Sequence, residues 1–161
     1  MFITVVTRDR RPVLLKNIDL LRQSFINTKQ NYDFDIFAVV VLPEHFHIII
    51  KPNDIFEYPK IISSIKHYFS KNIDAVGQVC PTYKRNKGIW QGRYYEHTII
   101  NQEDLYNHLN YVHYNPVKHE LVKNVKDWEH SSFHKFVQLK NYDINWGSFE
   151  DIKEIVELDY E

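Results

Sequence analysis

The sequence predicts an α+β domain, helices packed against one face of an antiparallel sheet, and three observations lead there. Short runs of Val, Ile and Phe recur, stretches with apolar residues three or four apart lie between them, and turn residues punctuate the junctions. Taken in order they read strand, helix, strand, strand, helix, strand, helix.

"FITVVT" opens the series and ends in the turn-like "RDRRP". From Leu14 to Lys29, Leu14, Ile18, Leu21 and Phe25 keep helical spacing. "YDFDIFAVVVLPEHFHIII" is too rich in β-branched and aromatic residues for a surface helix, and Pro43 breaks it into two strands joined at "LPE". A second helix follows, with Asn53 or Asp54 as N-cap, Pro59 near its first turn, and Ile61, Ile65, Tyr68 and Phe69 at helical spacing. Gly77, Pro81, Gly88 and Gly92 punctuate the next stretch. Then come a strand, "RYYEHTII", and a helix starting near Asn101 with Glu103 and Asp104 in its first turn. A βαββαβ order is the ferredoxin-like plan, which leaves the second face of the sheet open for ligands. Beyond the third helix, short irregular pieces wrapping the core and a final acidic helix are expected. One domain spans 1–161, with a core of about 1–117 and a C-terminal extension of about 118–161.

A chain of 161 residues with 43% hydrophobic content can bury one real core. The single cysteine, Cys80, excludes an internal disulfide framework and fits a reducing compartment. No apolar run approaches the roughly 18 residues of a membrane span, and the N-terminus becomes charged too soon for a signal peptide, so a cytoplasmic protein with no membrane partner is expected. Net charge is −1, but seven acidic residues and one lysine fall between Asp143 and Glu161. The first 142 residues therefore hold 19 basic and 14 acidic side chains, a balance of +5 that permits a polyanionic partner and equally describes a solvated surface.

"LPEHFHIII" is the segment that packing alone does not explain. Strand side chains alternate, so His45, His47 and Ile49 project one way and Phe46, Ile48 and Ile50 the other. The two imidazoles stand about 7 Å apart along the strand, a span that one metal ion can bridge. The pattern alone also describes a pair of surface or internally satisfied histidines.

A second constellation lies in "EDLYNHLNYVHYNPVKHELV". Leu105, Leu109 and Val112 form an apolar helical stripe, and His108, Tyr111 and Asn115 form a second one beside it. Asn115 precedes Pro116, which disfavours the α conformation, so the helix is expected to end there. The polar stripe could be merely solvated. Combined with the histidines, an oxygen donor from Asn115 would complete an open metal site with Tyr111 beside it, where a cation could polarise a phosphate for attack by the phenol.

These residues resemble the HUH family of single-strand DNA transposases with one catalytic tyrosine. Together "LPEHFH", "IWQGRYYEH", "YVHYNPVKHELV" and "DWEHSSFH" resemble its REP-associated tyrosine transposases, over roughly Phe2 to Trp146. The resemblance implies site-specific cleavage and rejoining of single-stranded DNA near hairpins in the bacterial cytoplasm. His45, His47 and Asn115 would be metal ligands for Mg²⁺ or Mn²⁺, and Tyr111 the nucleophile that forms a 5′-phosphotyrosine. The insertion-sequence relatives are dimers that exchange the tyrosine helix, whereas the REP-associated branch is expected to act as a monomer. A hairpin-binding protein that does not cut, or an HUH nuclease or replication-initiating strand transferase, is the alternative.

Arg8, Arg10, Arg11, Lys84, Arg85, Lys87, Arg93 and Lys118 are the expected phosphate contacts, and Trp90, Tyr94 and Tyr95 interleave with them as stacking surfaces. Core packing is the competing role for Trp90. His97 and His108 are expected to support the site from behind. Relatives usually carry a short basic, aromatic segment before the first strand that helps read a tetranucleotide beside the hairpin, whereas this sequence starts within that strand, so either site recognition differs or the start is truncated. They also often carry glycine where Glu120 stands, so a different turn is expected.

Overall fold

The computed structural model describes residues 1–73 and 88–147. Lys84, Arg85 and Lys87, and the acidic tail with its expected final helix, lie outside them. Four strands, β1 (Phe2–Val6), β2 (Phe34–Val41), β3 (His45–Pro52) and β4 (Tyr95–His97), form a sheet in the order β2-β3-β1-β4. All neighbouring pairs are antiparallel, with Thr4 opposite His47 and Val6 opposite His45 at the centre.

Helix α1 (Ile18–Lys29) follows a 3₁₀ turn at Leu15–Asn17 and packs beside α2 (Tyr58–Asn72) on one face of the sheet. Asp54 accepts a hydrogen bond from the Phe56 N–H in the turn before α2, and Pro59 sits in that helix's first turn, where a missing N–H costs nothing. Ile3, Val5, Phe46, Ile48 and Ile50 meet Leu21, Ile61, Ile65 and Phe69 in a dry core. Each such side chain contributes about 1.5–3 kcal/mol by leaving water.

The opposite face is not open. Helix α3 (Gln102–Lys118) lies across it, and Leu109, Tyr111 and Val112 pack on Phe2, Ala38, Val40 and Ile49. The same helix corrects a second expectation by passing through Pro116 to Lys118. Beyond the proline it closes on itself: the Glu120 N–H donates to the Val117 carbonyl and the Leu121 N–H to the Pro116 carbonyl. That closure needs a left-handed residue, and Glu120 supplies it with φ +57°. A glycine would adopt that conformation without a Cβ penalty, whereas here a glutamate holds it.

The fourth strand is shorter than expected. Ile89–Gln91 runs against the far end of β1, with Arg8 N–H to Ile89 O and Gln91 N–H to Val6 O, and β4 resumes pairing at Tyr95. Trp90 is anchored between these stretches, its ring against Phe46 and Phe69 and its indole N–H on the Lys66 carbonyl. It is a core residue, which corrects its expected role as a stacking platform for bases.

After α3 come a 3₁₀ turn (Val125–Asp127) and α4 (Phe133–Gln138), the short wrapping pieces the sequence predicts. Between them the chain lies along the outer edge of β2. Val41 N–H donates to His130 O, Ser132 N–H to Val39 O, and the Trp128 indole to Val41 O. Among the described residues no helix is long and apolar enough to cross a membrane.

Candidate active site

The alternation of β3 delivers His45 and His47 to the α3 side, ring centroids 4.8 Å apart and both fully buried. Each ring is oriented through Nδ1. Thr4 Oγ1, directly across the strand pair, lies 2.8 Å from His47 Nδ1, and Glu44 Oε1 lies 3.0 Å from His45 Nδ1. Nε2, buried in both rings, is then the nitrogen suited to a ligand. The hydrogen bond with His45 holds the Glu44 carboxyl below its ordinary range, outweighing partial burial.

Helix α3 supplies the rest. The Tyr111 ring lies 5.2 Å from His47, and the His119 ring 5.0 Å from His45. Asn115 is one turn from each of these residues on the same helical face, so the helix bracketed by these two contacts sets it against the histidine pair. Its carboxamide is fully buried, and neither Nδ2 nor Oδ1 has a hydrogen-bond partner among the described residues. An unmet buried polar group costs about 1–3 kcal/mol and asks for a ligand. Two imidazole nitrogens and an amide oxygen are a donor set that fits a divalent cation.

Tyr111 itself is fully buried. Lys118 Nζ donates to its hydroxyl at 3.4 Å and lies 4.9 Å from its ring centroid. This places Lys118 on the tyrosine, a more specific position than the phosphate contact expected of it.

Basic groups gather where β1 meets His45. The turn Arg8–Arg10 follows β1, with Asp9 and Arg10 both at positive φ. Arg10 lies 3.9 Å from Glu44, the partner of His45, and Arg11 pairs with Asp9. The Arg8 guanidinium rests against Gly88, where a Cβ would meet it at 2.3 Å, so a side chain there would displace it. Arg93 and Tyr95 are exposed, and Tyr94 is half-buried.

His97 and His108 meet through Asp104. His97 Nε2 is 2.8 Å and His108 Nδ1 2.9 Å from its carboxylate, and the two rings stack 4.4 Å apart. Burial pushes the His108 imidazole down. Burial also opposes ionisation of Asp104, but hydrogen bonds from His97 and the Ile100 N–H and the charge of His108 leave its carboxyl lowered. By donor type the trio could hold a cation, its ligand atoms lying within 4.8 Å of one another. The rings are 12° from parallel, however, and imidazole lone pairs lie in the ring plane, so they do not converge on one ion. The group instead clamps β4 to the start of α3. Phe2 joins it to the site, 4.7 Å from the ring of His108 and stacked on His47.

Thr4, Glu44, Phe2 and His119 are the site residues that sequence reasoning missed. Glu44 directly precedes "HFH", and Thr4 emerges once the first strand is paired with the histidine strand; His119 and Phe2 become visible only when α3 is docked.

A four-stranded antiparallel sheet with a buried His-x-His facing a tyrosine helix defines the class: residues 1–115 match the family model described as IS200-like transposases. The chain is 36% identical over 160 residues to a protein of Haemophilus influenzae assigned as a REP-associated tyrosine transposase, covering 94% of this chain and 89% of that one. To the REP-associated tyrosine transposase of Escherichia coli K12 it is 39% identical over 148 residues, 91% and 83% of the two chains. The solved structure of a REP-associated tyrosine transposase bound to a REP hairpin superposes with a TM-score of 0.80 at 34% identity, covering 99% of this chain and 88% of that one. The chain therefore belongs to the REP-associated tyrosine transposases, within the IS200-like family.

Proposed function

We propose that this transposase cleaves and rejoins single-stranded DNA beside a hairpin through a covalent 5′-phosphotyrosine at Tyr111, with His45, His47 and Asn115 holding Mg²⁺ or Mn²⁺. The observation that carries the reading is the buried Asn115 carboxamide, without a hydrogen-bond partner among the described residues, on the helical face whose neighbouring turns meet His47 and His45. A cation bound there supplies charge neutralisation at the scissile phosphate, and imidazole ligation favours Mn²⁺.

The remaining work falls to the protein's own groups. Thr4 and Glu44 fix the imidazoles, Tyr111 supplies the attacking oxygen, and the arginine turn and Arg93 offer contacts to the DNA backbone. As the Tyr111 oxygen bonds to phosphorus, the bond from phosphorus to the upstream 3′-oxygen breaks. The proton lost by the phenol is balanced by the one gained at the 3′-hydroxyl. One phosphodiester is exchanged for another, so no ATP is consumed. Action as a monomer, the expectation for the REP-associated branch, is part of this reading.

The test is incubation of wild type and Tyr111→Phe with labelled hairpin-bearing single strands and Mn²⁺. A covalent adduct on a denaturing gel is expected from wild type alone. An adduct that persists in the variant would remove Tyr111 from the role. A second reading, a hairpin-binding protein that does not cut, draws on the complete burial of Tyr111; absence of adduct from wild type across a range of hairpins would establish it instead.

A further inference from the structure

We infer that Lys118 is a catalytic residue of the strand transfer, holding the Tyr111 oxygen and the scissile phosphate together, rather than one more contact to the DNA backbone. The inference rests on the function proposed above.

Tyr111 and Lys118 are seven residues apart, which is close to two helical turns, so they share a face of α3. The rise between them is about 10.5 Å, and helical side chains lean toward the N-terminus, so a lysine two turns on reaches back over the ring. Nζ accordingly lies 3.4 Å from the phenol oxygen and 4.9 Å from the ring centroid. The geometry exists only because α3 continues past Pro116. A helix ending at Asn115 would carry Lys118 away with the following turn.

An ammonium group has three donors, and one of them is directed at the phenol. A phosphodiester approaching the site is an anion that must meet an electron-rich oxygen. The Lys118 ammonium, already on that oxygen, can bond a non-bridging phosphate oxygen with a second N–H. It thereby screens the repulsion, sets the nucleophile close to phosphorus, and meets the charge that grows on the phosphate oxygens during transfer. The bonds made and broken are those given above, and Lys118 keeps its protons throughout. Because it acts on the tyrosine side of the phosphorus, it serves cleavage and rejoining alike.

The experiment compares wild type, Lys118→Gln and Lys118→Arg in Mn²⁺ with one hairpin-bearing strand. Affinity is read by fluorescence anisotropy, which also reports folding, and the single-turnover adduct rate is read at saturating DNA. Lys118→Gln is expected to bind within about threefold of wild type, losing about one unit of salt slope. It is expected to form adduct at least about a hundredfold more slowly, with rejoining slowed by the same factor. Lys118→Arg should recover part of the rate. A substrate with sulfur in place of the bridging 3′-oxygen, a better leaving group, should leave the Lys118→Gln defect in place.

Equal adduct rates at saturation would make Lys118 a binding residue and overturn the inference, as would rescue by the 3′-thio substrate, which would place the lysine on the leaving oxygen. If wild type forms no adduct, the cleavage reading fails and this one falls with it. A normal wild type beside an unaffected variant overturns the lysine assignment alone.

Discussion

The two faces of the sheet are built on the same strands and both bury an apolar cluster, yet only one of them sets a group of buried polar side chains into it. Toward α1 and α2, Ile3, Val5, Phe46 and Ile48 meet Ile61, Ile65 and Phe69. Toward α3, an apolar cluster that includes Phe2, Val40, Ile49, Leu109 and Val112 is joined by the equally buried Thr4, His45, His47, Tyr111 and Asn115, and the Asn115 carboxamide has no hydrogen-bond partner among the described residues. The first face contributes stability through apolar area. The second, besides its own apolar area, holds polar groups in fixed positions at a cost in stability, which a ligand can offset. Residues 45–50 alternate between the two, so one strand joins the scaffold to the chemistry.

The largest effect should come from breaking the dry face. Phe69→Ala is expected to cost about 3–5 kcal/mol in denaturant unfolding through lost transfer energy and a cavity. On the other face, Mn²⁺ at a hundredfold excess over its Kd should add about 2.7 kcal/mol to the unfolding free energy. Asn115→Leu should remove much of that gain while leaving the cation-free protein at least as stable, because an unmet amide disappears. A large loss of cation-free stability in that variant would show that the amide is structural instead.

A smaller effect sharpens the contrast through pH. His113 on α3 is packed against Phe133 and Phe136, with Nε2 shared with Ser132 Oγ and Nδ1 buried without a hydrogen-bond partner among the described residues. Burial pushes its imidazole down to about 3 from 6.5. Between those values the unfolded chain binds a proton that the folded one refuses, so the stabilising contribution is complete above 6.5 and is lost as pH falls. The slope approaches about 1.4 kcal/mol per pH unit from this group alone, and His113→Gln should flatten the profile in urea titrations at stepped pH. The smallest effect tests the end of α3. Glu120→Gly should stabilise by about 1 kcal/mol, because glycine adopts φ +57° without a Cβ penalty. A destabilised variant would mean the Glu120 side chain does more than occupy the turn.

Most of the scaffold is legible locally. Period-two alternation sends His45 and His47 to one side, and Asn101 caps α3 by accepting from the Asp104 N–H, as its place before two acidic residues suggests. What is not legible is where α3 docks. A helical stripe of Leu105, Leu109 and Val112 declares that it must be covered, but not by which face of the sheet, and that choice decides whether the histidines are exposed or enclosed. Pro116 misleads because its local preference yields to the closing bonds of Val117 and Glu120. Trp90 misleads for another reason: basic and aromatic residues interleave in the same way around a DNA groove and around a buried indole, and only the packing of Phe46 and Phe69 separates them.

The strip from Trp128 to Ser132 carries no proposed chemistry, yet it bonds to the outer edge of β2 at Val39 and Val41. An unpaired strand edge is a template for another chain. A shortened protein ending near residue 115, where the family match ends, would keep both histidines and the tyrosine and present that edge bare. Its expected failing is self-association, seen as light scattering and concentration-dependent mass. The smallest well-behaved unit of this transposase is therefore longer than its reactive part, and runs at least to Ser132.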